Sequence, residues 1–214
     1  MRTRLCYRRD MDAVQWPCYE RRVGSRDPSN GYERNAPDFI AVRSGVGAGV
    51  VAAWARALPA AAAILDLGCG SGVPIAETLV NAGFEVFAVD ASPTMVAAFR
   101  TRFPQLTVQC AAVEDADFFG RSFDGIVAWG LIFLLDADAQ RRLIAKMAGA
   151  LRAGGGLLFT APRAACSWPD VMTGQTSISL GLDEYRRQLE AGGLTLVGTE
   201  TDEGDNHYYL AVKR

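Results

Sequence analysis

A single histidine, His207, stands in 214 residues, and the five cysteines (Cys6, Cys18, Cys69, Cys110 and Cys166) form no C-x-x-C pair and no Cys/His cluster. That leaves too few ligands at metal-site spacing for a structural zinc, so no metal is expected. Apolar runs are short. The longest, such as residues 130–135, fall far below the roughly 20 residues that cross a bilayer, and no membrane span is expected. Nor is there a basic excess: 22 Lys and Arg face 24 Asp and Glu, for a net charge of −2. A protein that scans nucleic acid usually carries a dominant basic surface, so no nucleic-acid partner is expected. With no C-x-x-C pair and no Cys/His cluster, a reduced, cytoplasmic protein is the simplest expectation.

What is present is the composition of a globular domain, 50% hydrophobic and 21% charged, and 214 residues suffice for one domain with a full core. Residues 1–31 stand apart from it. They are Arg-rich and lack the apolar segment of a secretory signal. The expectation is an irregular N-terminal arm, either loosely ordered or an upstream extension of the true start. Trp16 and Tyr19 are the residues through which it could dock as a lid. A single domain is expected over residues 32–214.

The chain is organised around residues 64–74, Ile-Leu-Asp-Leu-Gly-Cys-Gly-Ser-Gly-Val-Pro. Ile64, Leu65 and Leu67 read as a buried strand, and Gly68, Gly70 and Gly72 let the backbone turn and approach a ligand. Pro74 is placed to open a helix. Such a strand, loop and helix start direct free N–H groups and the positive end of a helix dipole at a ligand. The dinucleotide fingerprint G-x-G-x-x-G fails because position 73 is Val73, and no lysine-bearing phosphate loop is present. Asp66, two residues before the first glycine, instead suits a ligand with an ammonium group.

Downstream, strands and helices alternate. A helix carrying Ile75, Ala76, Leu79 and Val80 inward ends at Gly83, and a strand over 84–90 stops at Asp90, where nucleoside-binding α/β folds place a ribose ligand. Ser92 and Pro93 then open a helix. Strands are expected over 106–112, 123–129 and 157–160, the last two flanking a helix that starts at Asp138 and closes at Gly154, Gly155 and Gly156. Before the core, helical spacing runs from Pro37 to Leu58, interrupted by glycines 45, 47 and 49. After it come an aperiodic stretch over 162–182, a helix over 183–193, a strand over 194–199, and a turn into a last strand over 207–213.

These landmarks resemble, over roughly residues 32–160, the class I S-adenosylmethionine-dependent methyltransferases of small-molecule type. The Asp66-Leu67-Gly68-Cys69-Gly70-Ser71-Gly72 segment is similar to that family's motif I. The resemblance implies an α/β fold: a Rossmann-like seven-stranded, mostly parallel sheet with an antiparallel last strand and helices on both faces. It also implies S-adenosylmethionine as cofactor, with S-adenosylhomocysteine as product. The cofactor residues it implies are Asp66, Gly68, Cys69, Gly70 and Gly72 around the loop; Asp90 and Ala91 at the second strand's end; Met95, Val113 and Glu114 around adenine; and Trp129 and Tyr32. Ala112 departs from the pattern, because the family usually has an acidic residue there. Cys69 reads chiefly as a packing thiol, Tyr32 more readily as surface packing than as a ligand contact, and Glu114 equally as a solvated charge.

The fourth strand's end carries Trp129, Leu131 and Phe133 where related enzymes tend to have polar groups, and the Asn/Asp-Pro-Pro-Tyr motif of base and glutamine methylation is missing. An apolar acceptor is therefore expected. Its contacts are sought among Trp129, Phe133, Arg163, Trp168, His207 and Tyr208, with at most one of Tyr208 and Tyr209 facing the pocket because strand residues alternate sides. His207 has three readings open: catalytic base, substrate contact, or hairpin structure. The function expected is methyl transfer to O, N or S of a small, partly apolar or aromatic metabolite by in-line displacement. The alternative is a cofactor-binding protein without methyl transfer. Monomer and homodimer both remain open.

Overall fold

The computed structural model describes residues 27–214. Most of the expected arm, with Trp16 and Tyr19, lies outside the described residues. Two helices come first, α1 (Tyr32–Ala41) and α2 (Ala48–Ala55). The alternating core follows as β1 (Ala63–Leu67), α3 (Ile75–Asn81), β2 (Glu85–Asp90), α4 (Pro93–Arg102), β3 (Thr107–Cys110), β4 (Phe123–Ala128), α5 (Ala137–Ala150) and β5 (Leu151–Thr160). A small hairpin of β6 (Cys166–Pro169) and β7 (Thr176–Ser179) precedes α6 (Leu182–Ala191), β8 (Leu194–Thr201) and β9 (His207–Lys213).

The main sheet has seven strands in the order β3-β2-β1-β4-β5-β9-β8. The pairs among β3, β2, β1, β4 and β5 are parallel, and β9 runs antiparallel to both β5 and β8. This is the expected Rossmann-like sheet with its last strand reversed. Alternation along each strand builds two cores. Leu65, Leu67, Phe87 and Val89 face one side with Leu143, Met147 and Leu189. Ile64, Val86 and Ala88 face the other with Trp54, Leu79 and Phe99. Both faces are covered, so the central strands read as continuous apolar runs.

Element bounds differ most from the sequence reading in four places. The helical spacing over 37–58 resolves into α1, which starts at Tyr32 and contains Pro37, and a separate α2 beyond the glycines. Helix α5 is capped by Asp136, whose side chain accepts from the Ala139 N–H, so it starts just before Asp138. Gly154, Gly155 and Gly156 lie inside β5, which begins at Leu151. Trp54 and Leu58 explain the glycine at 156 and its strand neighbour Gly125: a Cβ on Gly156 would meet Trp54 Nε1 at 3.1 Å, and one on Gly125 would meet Leu58 Cδ1 at 2.7 Å. Last, the aperiodic stretch 162–182 holds the β6–β7 hairpin, whose four-residue strands alternate in exposure but are too short to stand out as a period in the sequence.

Candidate active site

A cavity of about 1490 Å³ opens at the carboxyl ends of the parallel strands, where ligands bind in open α/β sheets. Gly68, Cys69 and Gly70 from the loop, Asp90 and Ala91 after β2, Met95 of α4, Val113 and Glu114 line one part of it. Tyr32, Trp129, Phe133, Arg163, Trp168 and His207 line it as well. The structure thus brings together around one cavity most of the residues that the resemblance singles out.

The loop is fastened to β2. Gly68 N–H donates to Val89 O at 2.8 Å, and Gly70, at φ +55°, donates its N–H to Asp90 Oδ2 at 2.8 Å. Asp90 Oδ1 accepts from Ser92 N–H at 2.8 Å. Each carboxylate oxygen thus takes one backbone donor and keeps a lone pair for a ligand hydroxyl. Burial pushes Asp90's pKa up, against the pull of those amide bonds. Three other residues lie off the wall. Gly72 packs away from the cavity: a Cβ there would fall 2.5 Å from Phe103 Cε2. Tyr208 is fully buried in the second core and is absent from the cavity lining; Tyr209, also fully buried, faces the first core.

The third is Asp66, which lies beneath the loop, 1% exposed, with Oδ2 buried and without a hydrogen-bond partner. Burial, reinforced by the Asp90 charge, pushes its pKa up to about 8. Arg43, the counter-charge that sequence reading passes over, sits nearby and offsets part of that shift. Its Nε donates to Val73 O at 2.9 Å, and its guanidinium stacks 4.2 Å from the Trp129 ring centre. A buried carboxyl group with an open oxygen and a guanidinium on the cavity wall are suited to the ammonium and carboxylate of an amino acid head group. The loop glycine N–H groups, expected to face the ligand, are instead bonded within the protein, to Val89 O, Asp90 Oδ2 and Cys69 O. With the Asp90 lone pairs and the loop backbone at Gly68 and Gly70 on the cavity lining, the residues present still fit S-adenosylmethionine.

A second missed residue is Glu33. It accepts the Ser92 hydroxyl in a short bond, the Thr94 hydroxyl at 2.7 Å and the Thr94 N–H at 3.1 Å, and so fastens α1 to the start of α4. Only a partner distant in sequence reveals this role. The other end of the roof is also tied. Tyr32 donates its hydroxyl to Asp170 Oδ2 at 3.2 Å, and Asn35 Nδ2 donates to Met172 O at 2.7 Å. The hairpin is itself held by Gln140, whose Nε2 donates to Ile178 O at 2.8 Å.

On the far side, the Phe133 and Trp168 rings lie 5.5 Å apart. His207 stands at the start of β9 with Nε2 buried and without a partner. Burial, and then the Arg163 charge, lower its pKa, so the imidazole is neutral near pH 7. Among the described residues no group of three His, Cys, Asp or Glu could hold a metal ion, and no helix is long and apolar enough to cross a membrane. Cys69 and Cys110 are free thiols, but Cys166 is disulfide-bonded, against the reduced protein expected from the sequence. Burial raises the Cys69 pKa well above the usual thiol value, which keeps it protonated.

Comparison with known proteins agrees with this geometry. Residues 64–155 match a protein-family model described as a methyltransferase domain. Uncharacterized methyltransferases of Mycobacterium bovis and Mycobacterium tuberculosis are 35% identical over 101 residues, 47% of this chain and 40% of theirs. The chain thus aligns with about two fifths of the length of these relatives. A solved structure of a Burkholderia thailandensis 1,6-didemethyltoxoflavin-N1-methyltransferase, with 1,6-didemethyltoxoflavin and S-adenosylhomocysteine bound, superposes with a TM-score of 0.67 at 20% identity, over 85% of this chain and 84% of that one. An S-adenosylmethionine-bound amino pentose methyltransferase from Micromonospora echinaspora does so with a TM-score of 0.65 at 18% identity, over 92% and 100%. At such identities these likenesses speak for the fold. Residues 64–155 thus match a methyltransferase domain, on a fold shared with solved S-adenosylmethionine-dependent methyltransferases.

Proposed function

We propose that the protein transfers a methyl group from S-adenosylmethionine to O, N or S of a small, partly apolar or aromatic metabolite. The observation that carries this reading is a single cavity in which the Gly70–Asp90 cradle opens into a compartment walled by Phe133, Trp168 and His207. At about 1490 Å³ it exceeds the roughly 300–1,000 Å³ of a pocket for one drug-sized ligand, and so has room for a cofactor and an acceptor together.

In this reading Asp90 accepts the ribose hydroxyls, Asp66 and Arg43 take the ammonium and carboxylate of the amino acid tail, and Met95 and Val113 bound the adenine. When bound, the cofactor supplies an electrophilic sulfonium methyl, to which the acceptor's lone pair bonds while the carbon–sulfur pair returns to sulfur. The chain's own task is to orient and to exclude water. Helix α1 and the β6–β7 hairpin cover the cavity, and Trp129 backs it. Where the acceptor atom carries a proton, the neutral His207 accepts it at Nε2. The same chemistry requires no nucleic acid or membrane.

The test is a thermal shift with S-adenosylmethionine and S-adenosylhomocysteine, followed by incubation with methyl-labelled cofactor and a metabolite extract. A ligand at 100 times its dissociation constant adds about 2.7 kcal/mol of stability. Ala112, in place of the usual acid, and the apolar end of β4 favour a second reading, a cofactor binder without methyl transfer. Binding without label transfer to any extract would select it, and no shift with either compound would sink both.

A further inference from the structure

The acceptor compartment has a chemical character of its own. Its roof is aromatic, with Trp168 on β6 tilted 46° to Phe133. At its base the chain leaves β5 through Pro162 and Arg163, and this segment is held in place: Ser179 Oγ donates to Pro162 O at 2.6 Å and Leu182 N–H to Arg163 O at 2.9 Å. The Arg163 side chain lies on the cavity wall, and its charge reaches both His207 and Tyr209. Arginines 102, 121, 141, 152, 186 and 187 are each paired with a carboxylate, whereas Arg163 takes part in none of these ion pairs. A cation on a pinned backbone, beside an aromatic roof and a buried imidazole nitrogen that lacks a partner, is a recognition set with its complement missing.

The geometry points to an acceptor that is a planar aromatic acid: its ring under Trp168 and Phe133, its anionic group on the Arg163 guanidinium, and a donor on the ring turned to His207 Nε2. This assignment rests on the methyltransferase reading for the word acceptor, and on the compartment alone for the ligand's chemistry. A guanidinium presents a planar fork to a carboxylate and stacks on aromatic faces, so ring and acid are recognised together. Asp205 also reaches the wall, from the exposed turn between β8 and β9, and would favour a cation instead.

Calorimetric titration of three probes of one shape, 2-naphthoate, 2-naphthalenemethanol and 2-naphthylmethylammonium, separates these cases. In protein saturated with S-adenosylhomocysteine, naphthoate is expected to bind at least tenfold more tightly than the alcohol. Arg163→Gln should abolish that preference, Arg163→Lys should retain part of it, and Trp168→Ala should weaken acid and alcohol alike. Naphthoate binding no more tightly than the alcohol or the ammonium compound, a preference that survives Arg163→Gln, or no binding of any probe would each overturn the assignment. Failure of S-adenosylhomocysteine to bind would count against the methyltransferase reading instead, and the same three probes titrated into the protein alone would still judge Arg163.

Discussion

The Trp129 indole N–H donates to the Tyr208 hydroxyl at 2.5 Å, and that hydroxyl donates in turn to Asp202 Oδ2 at 2.7 Å. Trp129 is therefore held from behind, with its polar edge engaged away from the cavity and its ring left for Arg43. Asp202 also accepts the N–H groups of Gly204 and Asn206, so the same carboxylate shapes the turn that presents His207.

Tyr208→Phe removes the middle of this chain and leaves the Trp129 N–H without a partner. An unsatisfied polar group of this kind costs about 1–3 kcal/mol. Urea unfolding should show a loss in that range with an unchanged denaturant slope. A loss below about 0.5 kcal/mol, the size of an ordinary surface substitution, would mean that the indole finds water.

Glu33 makes a prediction with a defined pH dependence. The Ser92 hydroxyl, followed by the Thr94 bonds, holds its pKa below the usual 4.5. A carboxylate depressed in the folded state contributes stability above its unfolded pKa and loses it as pH falls through the folded value. Glu33→Gln should thus be less stable than the parent at pH 7, by about 1 kcal/mol as for the loss of a helix cap, and the gap should narrow as the pH falls below 4.5 and through the folded value. Amide exchange at Thr94 should quicken in the variant at neutral pH. A gap independent of pH would assign the effect to packing of α1 instead.

Asp90→Asn tests the cradle. Its two oxygens already hold the Gly70 and Ser92 amides, and each hydrogen bond to a charged group contributes about 1.5–3 kcal/mol. Loss of charge toward two ribose hydroxyls should weaken S-adenosylhomocysteine by at least about a hundredfold, since each 1.4 kcal/mol is a factor of ten. Circular dichroism should confirm that the variant folds. Unchanged affinity in folded protein would remove Asp90 from the ligand.

The fold and part of this cavity were legible because their signals are local. The glycine spacing after a buried strand, Asp90 at a strand end, and the alternation that sends Leu65 and Ile64 to opposite cores all lie within a few residues of one another. Arg43 and Glu33 were not legible. Arg43 meets its partners at Val73 and Trp129, and Glu33 meets Ser92 and Thr94 some sixty positions on. Nothing in the sequence near either residue specifies that contact. The β6–β7 hairpin was hidden for a related reason: its four-residue strands are stabilised by Gln140 and by α1, elements far away in sequence. Tyr208 and Tyr209 show the converse. Alternation requires that they face opposite sides, but the helices over both faces of the sheet bury them both.

Asp66 supplies the sharpest test of the ligand's charge. Burial, with Asp90's charge behind it, raises its pKa to about 8. At pH 7 the folded chain without ligand therefore holds a proton there that the unfolded chain, titrating near 3.8, has released. The folded state binds more protons across this window, so Asp66 makes stability fall as pH rises from about 4 to about 8. An ammonium group brought beside it favours the carboxylate and should expel the proton. Calorimetric titration of S-adenosylhomocysteine at pH 7, repeated in buffers of different ionisation enthalpy, should show release of close to one proton. Asp66→Asn should abolish that release and flatten the slope of stability against pH. Binding by the parent with no net proton exchange would mean that the ligand's ammonium is held elsewhere, and that Asp66 serves only to brace the loop from below.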